Sequence, residues 1–190
     1  FERPPPPEPE LAATSVPIVA PEPPRPNPVP ASGVVAMDAK LVNGQVMLTF
    51  PWANPNGAAV FRRGDAIWVV FDAPADLDVS RAPRGLRQFS KVQSFKGSDY
   101  SAVRIAAPKG TPFFASAQGA VWTVAIGPGA QSQSSQVRIV RDDVGGPAAL
   151  KAVVSGTTRT LKVGDPIVGD TLSVVTALGP AKGVPSRREY

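Results

Sequence analysis

Three aspartates lie close together in the middle of the chain, at Asp72, Asp76 and Asp78. Carboxylates grouped in this way can bind calcium or perform general acid–base catalysis. Asp76 and Asp78 are two residues apart, so on a strand they would point to the same side. No EF-hand spacing and no further ligand cluster accompanies them, which favours a solvated strand edge.

The residue inventory argues against most other catalytic chemistry. The chain has no histidine and no cysteine, which removes imidazole bases, thiol nucleophiles and the usual zinc ligands. It also lacks a nucleophile-elbow motif, a P-loop and a dinucleotide-binding glycine fingerprint. We therefore expect no enzyme activity, no catalytic or metal-binding residue and no cofactor.

A basic stretch with interleaved aromatic residues follows the aspartates, and no acidic residue lies between Ser80 and Ser98. Such a stretch can bind single-stranded nucleic acid, an anionic glycan or a protein, or it can be a solvated loop. Nucleic acid is the least favoured of these partners. The predicted basic surface consists of Arg81, Arg84, Arg87, Lys91 and Lys96, and the aromatic residues are Phe89, Phe95 and Tyr100.

The N-terminal thirty residues contain twelve of the 23 prolines. Proline fixes φ and favours extended geometry in the preceding residue, so residues 1–32 are predicted to form a polyproline II arm. At roughly 3.1 Å per residue the arm can reach about 90 Å. An apolar stretch inside it is the predicted anchor to a partner, although the composition also fits a disordered linker. The anchor residues are Leu11, Val16, Pro17, Ile18 and Val19.

From Gly33 onward the sequence alternates apolar and polar residues and is rich in β-branched side chains, which predicts an all-β body. Turn signals such as Asn43-Gly44 and Asn56-Gly57 separate the strands. One short helix is predicted within 82–96, from the spacing of Leu86 and Phe89. The predicted strands are 34–41, 45–50, 58–62, 66–72, 101–106, 111–116, 120–126, 136–141, 150–154, 157–163 and 171–178.

The most apolar segment is VFRRGDAIWVVFDAP at 60–74. It predicts a hairpin turn followed by a central strand that is covered on both faces, because apolar residues occupy even and odd positions alike. Trp68, Val70 and Asp72 would share one face of this strand, and Ile67, Val69 and Phe71 would share the other.

An internal repeat is suggested by residues 66–75 and 120–129, which align Trp68 with Trp122 at an interval of about 54 residues. We therefore predict two or three small sandwich-like β modules in tandem. The predicted division is an arm at 1–32, a β domain with two related units at 33–130, and a further β unit at 131–190. The opening at Phe1 also leads us to expect a processed product or a piece of a longer parent chain.

The segment VFRRGDAIWVVFD, preceded by LTFPW, resembles the β-rich N-terminal region of large alphaproteobacterial envelope proteins that carry tetratricopeptide repeats downstream. The late segment VGDPIVGDTLSVVTALGPAKGVPSRREY is similar to the same region, so the likeness covers roughly residues 45–190. The alternation LTF…AVFRRGDAIWVVFD also looks like AMIN modules, small periplasmic β-sandwiches that localise amidases and secretins. The resemblance implies a periplasmic location and no particular functional residue.

Charge and hydropathy narrow the expected partners. The chain has a net charge of +5, and the arm is slightly acidic, so the body is more basic than the whole and favours anionic partners. No run of eighteen apolar residues occurs, so we expect no transmembrane segment.

Our leading hypothesis is a non-enzymatic periplasmic scaffold or adaptor subunit of an envelope-spanning assembly, such as a flagellar motor or secretion machinery. It would dock on other protein subunits through its arm. The alternative is an AMIN-like module that binds peptidoglycan or another glycan.

Overall fold

The computed structural model of the chain describes residues 24–86, 90–130, 139–142, 149–152 and 154–179. Within these ranges the chain forms β-strands and no helix, which confirms the predicted all-β class. The same ranges contain no helix long and apolar enough to cross a membrane. The first seven strands are β1 (Val34–Ala36), β2 (Asp38–Val42), β3 (Gln45–Pro51), β4 (Ala58–Arg63), β5 (Ala66–Phe71), β6 (Asp76–Asp78) and β7 (Lys91–Lys96). The next seven are β8 (Ser101–Ala106), β9 (Phe113–Gln118), β10 (Val121–Ile126), β11 (Ile139–Asp142), β12 (Ala149–Ala152), β13 (Thr157–Gly164) and β14 (Thr171–Ala177).

Two large sheets share one apolar core. The first has the strand order β2-β3-β10-β9, and the second has the order β13-β14-β4-β5-β8-β7. On β3 the alternate residues Val46, Leu48 and Phe50 are buried, and they pack in one cluster with Ile67 and Val69 of β5. Burial of each such side chain contributes about 1.5–3 kcal/mol relative to exposure, so this shared core is the main source of stability for the sandwich.

Strand β5 is the most deeply buried element, as its continuous apolar sequence predicts. All of its residues are buried, and its two faces belong to different clusters. Ile67, Val69 and Phe71 face the core between the two sheets. Trp68 and Val70 face a second cluster on the other side of the six-stranded sheet.

The hairpin of β13 and β14 supplies the cover for that second cluster. It joins the sheet through a single bridge, between Ala177 of β14 and Ala58 of β4. Its inward side chains Leu161, Val163 and Val174 are buried in the same cluster as Trp68. The hairpin is therefore held to the sheet mainly by side-chain packing, with little help from backbone pairing.

The prediction of a short helix within 82–96 is wrong. Residues 91–96 form strand β7, which pairs antiparallel with β8, and the preceding segment contains Gly85 at a φ of 71°. Val92 packs against the core between the sheets, whereas Phe95 packs against the second cluster. Val92 and Phe95 are three residues apart, so they would lie on the same face of a helix but on opposite faces of a strand. Because apolar clusters lie on both sides of the sheet, the strand buries both side chains and the helix would not. Residues 87–89 lie outside the described ranges.

Strand boundaries also differ from the sequence prediction in the first part of the chain. The predicted strand 34–41 is divided at Met37, whose N–H donates to the carbonyl of Asp78. Before this point β1 pairs in parallel with β6, and after it β2 pairs with β3. A strand as short as β6 has too few residues to show a periodic pattern in the sequence.

The tandem repeat is not confirmed, because strands from the two aligned stretches are interleaved. Strand β3 pairs with β10, and β5 pairs with β8. Trp68 lies in the second cluster, whereas Trp122 lies in the core between the sheets. The aligned tryptophans therefore point into different environments. Strands β11 and β12 pair with each other, close to the predicted strands 136–141 and 150–154.

Candidate functional site

The inner end of the proline-rich segment is attached to the body. The N–H of Ala53 donates to the Pro28 carbonyl at 2.9 Å, and the Asn54 side-chain amide donates to the Asn27 carbonyl at 2.8 Å. Val29 packs against the core between the sheets. Contacts with the body thus begin before residue 32, where the sequence places the end of the arm. The predicted anchor residues Leu11, Val16, Pro17, Ile18 and Val19 lie outside the described residues.

The loop that receives this segment, residues 52–57, is itself held by the core. The Trp52 N–H donates to the Ala120 carbonyl at 2.9 Å, and the Trp52 ring lies 5.0 Å from that of Phe71. The indole Nε1–H of Trp122 donates to the Asn56 carbonyl at 3.1 Å. We call the contact between residues 27–29 and loop 52–57 the arm root. Because the loop is fixed at both ends, the arm root has a defined position on the body.

The structure divides the predicted basic surface. The Lys96 Nζ lies 3.0 Å from an Asp76 carboxylate oxygen, and the Arg81 guanidinium lies 3.9 Å from Asp38. Lys91 and Lys96 are five residues apart on β7, so they project from opposite faces of the sheet. Of the four cations that the structure describes, two are therefore near carboxylates, and Lys91 and Lys96 do not lie on one continuous face.

The remaining basic residues of the stretch differ in what surrounds them. Arg84 and Lys91 are exposed, and within the described residues their side chains have no ion pair or hydrogen bond. Arg87 lies outside the described residues. Among the described members of the predicted surface, Arg84 and Lys91 are thus the ones whose charge is not already near a carboxylate.

The aromatic residues of the stretch mainly serve the core. Phe95 stacks on Trp68 at 5.8 Å between ring centroids and an interplanar angle of 18°. Tyr100 packs against the second cluster, and its hydroxyl accepts a hydrogen bond from the Gly164 N–H at 3.3 Å. Both rings are only partly exposed, because they pack against the second cluster. Phe89 lies outside the described residues.

The aspartates have structural partners. Asp76 and Asp78 are both exposed on β6, on the same side of the strand as predicted. The Ser80 N–H donates to the Asp78 carboxylate, and this hydrogen bond holds the pKa of Asp78 below its usual range. Asp72 accepts a hydrogen bond from the Gly57 N–H at 2.9 Å. In the described part of the chain no group of three or more potential ligands could hold a metal ion.

A polar cluster that the sequence does not reveal joins β4 to the loop between β13 and β14. The Arg63 guanidinium makes two hydrogen bonds with the Asp170 carboxylate, at 2.9 and 2.6 Å, and lies 3.3 Å from the buried Asp165 carboxylate. Asp165 also accepts hydrogen bonds from the N–H groups of Ile167 and Val168. The segment VGDPIVGD thus forms the turn between β13 and β14, and its aspartates also tie the hairpin to the sheet.

Arg62, the neighbour of Arg63, has a different structural role. Its guanidinium donates to the carbonyls of Ala107, Pro108 and Thr111 and lies 5.6 Å from the Phe113 ring centroid. Burial lowers the pKa of this guanidinium. The two adjacent arginines therefore bind two different loops. In both cases the partners are more than forty residues away in the chain, so local sequence patterns do not predict these contacts.

Comparison of the chain with protein-family models, with curated proteins and with solved structures finds no match.

Proposed function

We propose that this chain is a non-enzymatic scaffold or adaptor of a bacterial envelope assembly, which docks on another protein subunit through its proline-rich arm. The observation that carries the proposal is the arm root. Hydrogen bonds from Ala53 and Asn54 and the packing of Val29 hold the inner end of the arm at one place on the sandwich. A binding segment that leaves a rigid body at a defined point can be presented to a partner in a defined direction.

The composition of the arm supports capture in an extended form. Proline restricts the free chain to extended conformations, so less conformational entropy is lost when the arm is bound. The apolar residues between the prolines can fill pockets on the partner, as in other modes of extended-peptide recognition. In this proposal Val16, Pro17 and Ile18 supply the contacts, and the flanking prolines supply reach.

The periplasmic location rests on the likeness of VFRRGDAIWVVFD and its flanking segments to envelope proteins. The absence of cysteine is compatible with an oxidising compartment. Within this proposal the downstream helical repeats of the resembling proteins are not needed for docking, since the arm and the body suffice.

Photo-crosslinking in cells that encode the chain tests the proposal. A photoreactive amino acid replaces Ile18 in the arm, and a control chain carries it at the exposed Lys109 on the body. The arm position should give a discrete covalent adduct in the envelope fraction, because that side chain is in contact with the partner. The control should give little or none. Equal adducts from both positions, or an arm adduct found only in the cytoplasm, would contradict the proposal.

A second candidate function is binding of an anionic glycan such as peptidoglycan. It is favoured by the exposed side chains of Arg84 and Lys91, which have no ion pair among the described residues. Arg81 and Lys96 contribute less here, because each already lies near a carboxylate.

Co-sedimentation with purified sacculi tests the second candidate. Replacing Arg84 and Lys91 together by alanine should weaken sedimentation at least about tenfold, since exposed cations supply the attraction. The matched control replaces Lys109 and Lys162 by alanine, which removes the same charge from other surfaces. Equal loss in both variants would indicate unspecific attraction, and no loss in either would exclude the Arg84–Lys91 surface.

A further inference from the structure

The edge strands of the two large sheets differ in how they are protected. An exposed sheet edge offers unpaired backbone groups, and proteins usually guard such edges with charged side chains, proline or bulges. Strands β2, β7 and β13 follow this rule. Each carries charged residues, and the pairing of β13 is interrupted near its start. The charged residues are Asp38 and Lys40 on β2, Lys91 and Lys96 on β7, and Arg159 and Lys162 on β13.

Strand β9, at the edge of the four-stranded sheet, has none of these features. Its sequence FFASAQ contains no charged residue and no proline, and its pairing with β10 runs without a register shift. In the described part of the chain no other strand pairs with it. Among the four edge strands of the two large sheets, β9 is therefore the one whose described residues carry no feature that would hinder pairing with another strand.

The hydrogen-bond pattern shows which backbone groups of β9 are open. The Gly127 N–H donates to the Pro112 carbonyl, so the residues that bond to β10 are those at even positions. The backbone N–H and C=O groups of Phe113, Ala115 and Ala117 then point away from the sheet. No backbone hydrogen bond outside the ladder engages these three residues within the described chain.

We propose that β9 pairs antiparallel with β9 of a second copy of this chain, around a two-fold axis at Ala115. Each sheet would then continue into its copy as one eight-stranded sheet. This register pairs the three open residues with one another, and each pair can exchange two hydrogen bonds. It also gives the self-complementary contact that a two-fold dimer requires.

The sizes of the side chains on β9 favour a second copy of this chain as the pairing partner of its outer edge. In this register Phe113 lies opposite Ala117 of the copy, Phe114 lies opposite Ser116, and Ala115 lies opposite Ala115. Each large ring thus meets a small side chain, and no like charges are brought together. Phe113 and Ala117 already pack against the core between the sheets, so the pairing would join the two cores. The dimer goes beyond the proposed docking role, and it would place two arms on one particle.

Sedimentation equilibrium of the full chain tests the pairing. The chain should be dimeric, and Ser116→Lys should weaken the dimer at least about tenfold, because a lysine on the outer face of β9 acts as an edge guard. The matched control is Thr123→Lys, which places the same charge on the same face of the neighbouring strand, opposite Ser116. The control should dimerise like the unchanged chain. A chain that stays monomeric up to roughly millimolar concentration, or a Ser116→Lys variant that dimerises normally, overturns the proposal.

Single cysteines test the register, since the chain has none of its own. Ala115→Cys should form an intermolecular disulfide on mild oxidation, because directly opposed residues of a hydrogen-bonded pair have Cα atoms about 5.5 Å apart. Ala117→Cys should not, because it lies opposite Phe113 of the copy. Crosslinking of Ala117→Cys in preference to Ala115→Cys overturns the proposed two-fold axis, and this readout does not depend on the lysine variants.

Discussion

Trp68 and Trp122 show how similar residues take different roles. Both are fully buried, but Trp122 donates its indole N–H to the Asn56 carbonyl, whereas the Trp68 indole N–H has no acceptor among the described residues. A buried polar group without a partner loses its hydration and gains nothing in return. The two side chains therefore differ in what their removal would cost.

We predict that Trp122→Phe lowers the free energy of unfolding by about 2 kcal/mol, through a lost hydrogen bond and a cavity. Trp68→Phe should cost about 1 kcal/mol less, because it deletes an N–H that has no partner. Urea denaturation followed by far-UV circular dichroism measures both values. Equal costs would contradict the assignment of the Asn56 hydrogen bond to Trp122.

The ion pair of Arg63 with Asp170 should appear in the dependence of stability on pH. The hydrogen bond from Arg63 holds the pKa of Asp170 below its usual range. A carboxyl group with a lowered pKa in the folded state stabilises the fold above its unfolded-state pKa of about 4, and this contribution is lost as the pH falls further. Arg63→Ala should therefore flatten the fall in stability between about pH 5 and pH 2.

Urea midpoints at several pH values measure this slope. Lys109→Ala removes a charge from an exposed residue with no ion pair in the described chain, so it should keep the slope of the unchanged protein. A slope in Arg63→Ala as steep as in the control would mean that the pair does not influence the titration of Asp170.

At the scale of elements, the β13–β14 hairpin is the least firmly connected part of the six-stranded sheet. One bridge joins it to β4, and the cluster around Trp68 and the Arg63 contacts add to its attachment. Two further hydrogen bonds, from Arg159 to the Asp72 carbonyl and from the Gly164 N–H to the Tyr100 hydroxyl, also hold it. Elements held mainly by packing can open without unfolding of the whole domain. The buried side chains of the hairpin should therefore control a local opening.

We predict that Leu161→Ala destabilises the hairpin by about 3 kcal/mol, within the usual range for a buried leucine. Lys162→Ala, at the adjacent exposed position, should change stability by less than about 0.5 kcal/mol. Hydrogen exchange followed by mass spectrometry should show faster exchange in β13 and β14, with β3 and β10 protected as before. Faster exchange in all four strands would indicate that the hairpin and the sandwich unfold together.

At the scale of the whole molecule, the arm root joins the proline-rich segment to the sandwich. Residues 27–29 contribute two backbone acceptors and one partly buried side chain to the body. A deletion that ends before these residues should therefore differ in stability from one that removes them.

Removing residues 1–23 should leave the melting temperature unchanged. Removing residues 1–30 should lower it by about 5 °C, since a loss of roughly 2 kcal/mol shifts a domain of this size by that amount. Scanning calorimetry of the two deletions is the measurement. Identical melting temperatures would mean that the arm root does not contribute to the stability of the body.

Much of the fold follows from local patterns. The apolar run on β5 predicts a strand covered on both faces, and Asn43-Gly44 correctly marks the turn between β2 and β3. At 82–96 the local pattern is misleading, because the spacing of Leu86 and Phe89 fits a helix. Only the presence of β8 as a pairing partner, and of cores on both sides, favours the strand.

Local sequence patterns reveal less of the candidate sites than of the strands. The stretch from Arg81 to Lys96 has the composition of a basic surface. The structure, however, places Asp38 near Arg81 and Asp76 near Lys96, and neither aspartate belongs to the stretch. The partners Arg63 and Asp170 are 107 residues apart in the chain. Such contacts depend on how strands are ordered in the sheets, which local periodicity does not encode.

Residue type and short-range alternation are enough to predict the all-β class and the turn at Asn43-Gly44, and the residue inventory alone shows that imidazole and thiol groups are missing from the chain. Long-range packing is needed to establish that Lys91 and Lys96 face opposite ways, that the β13–β14 hairpin covers Trp68, and that no other strand of the described residues pairs with the outer edge of β9. The reason is physical: side-chain alternation is a local property of a strand. The choice of neighbouring strand is made by the burial of apolar faces that are distant in the chain.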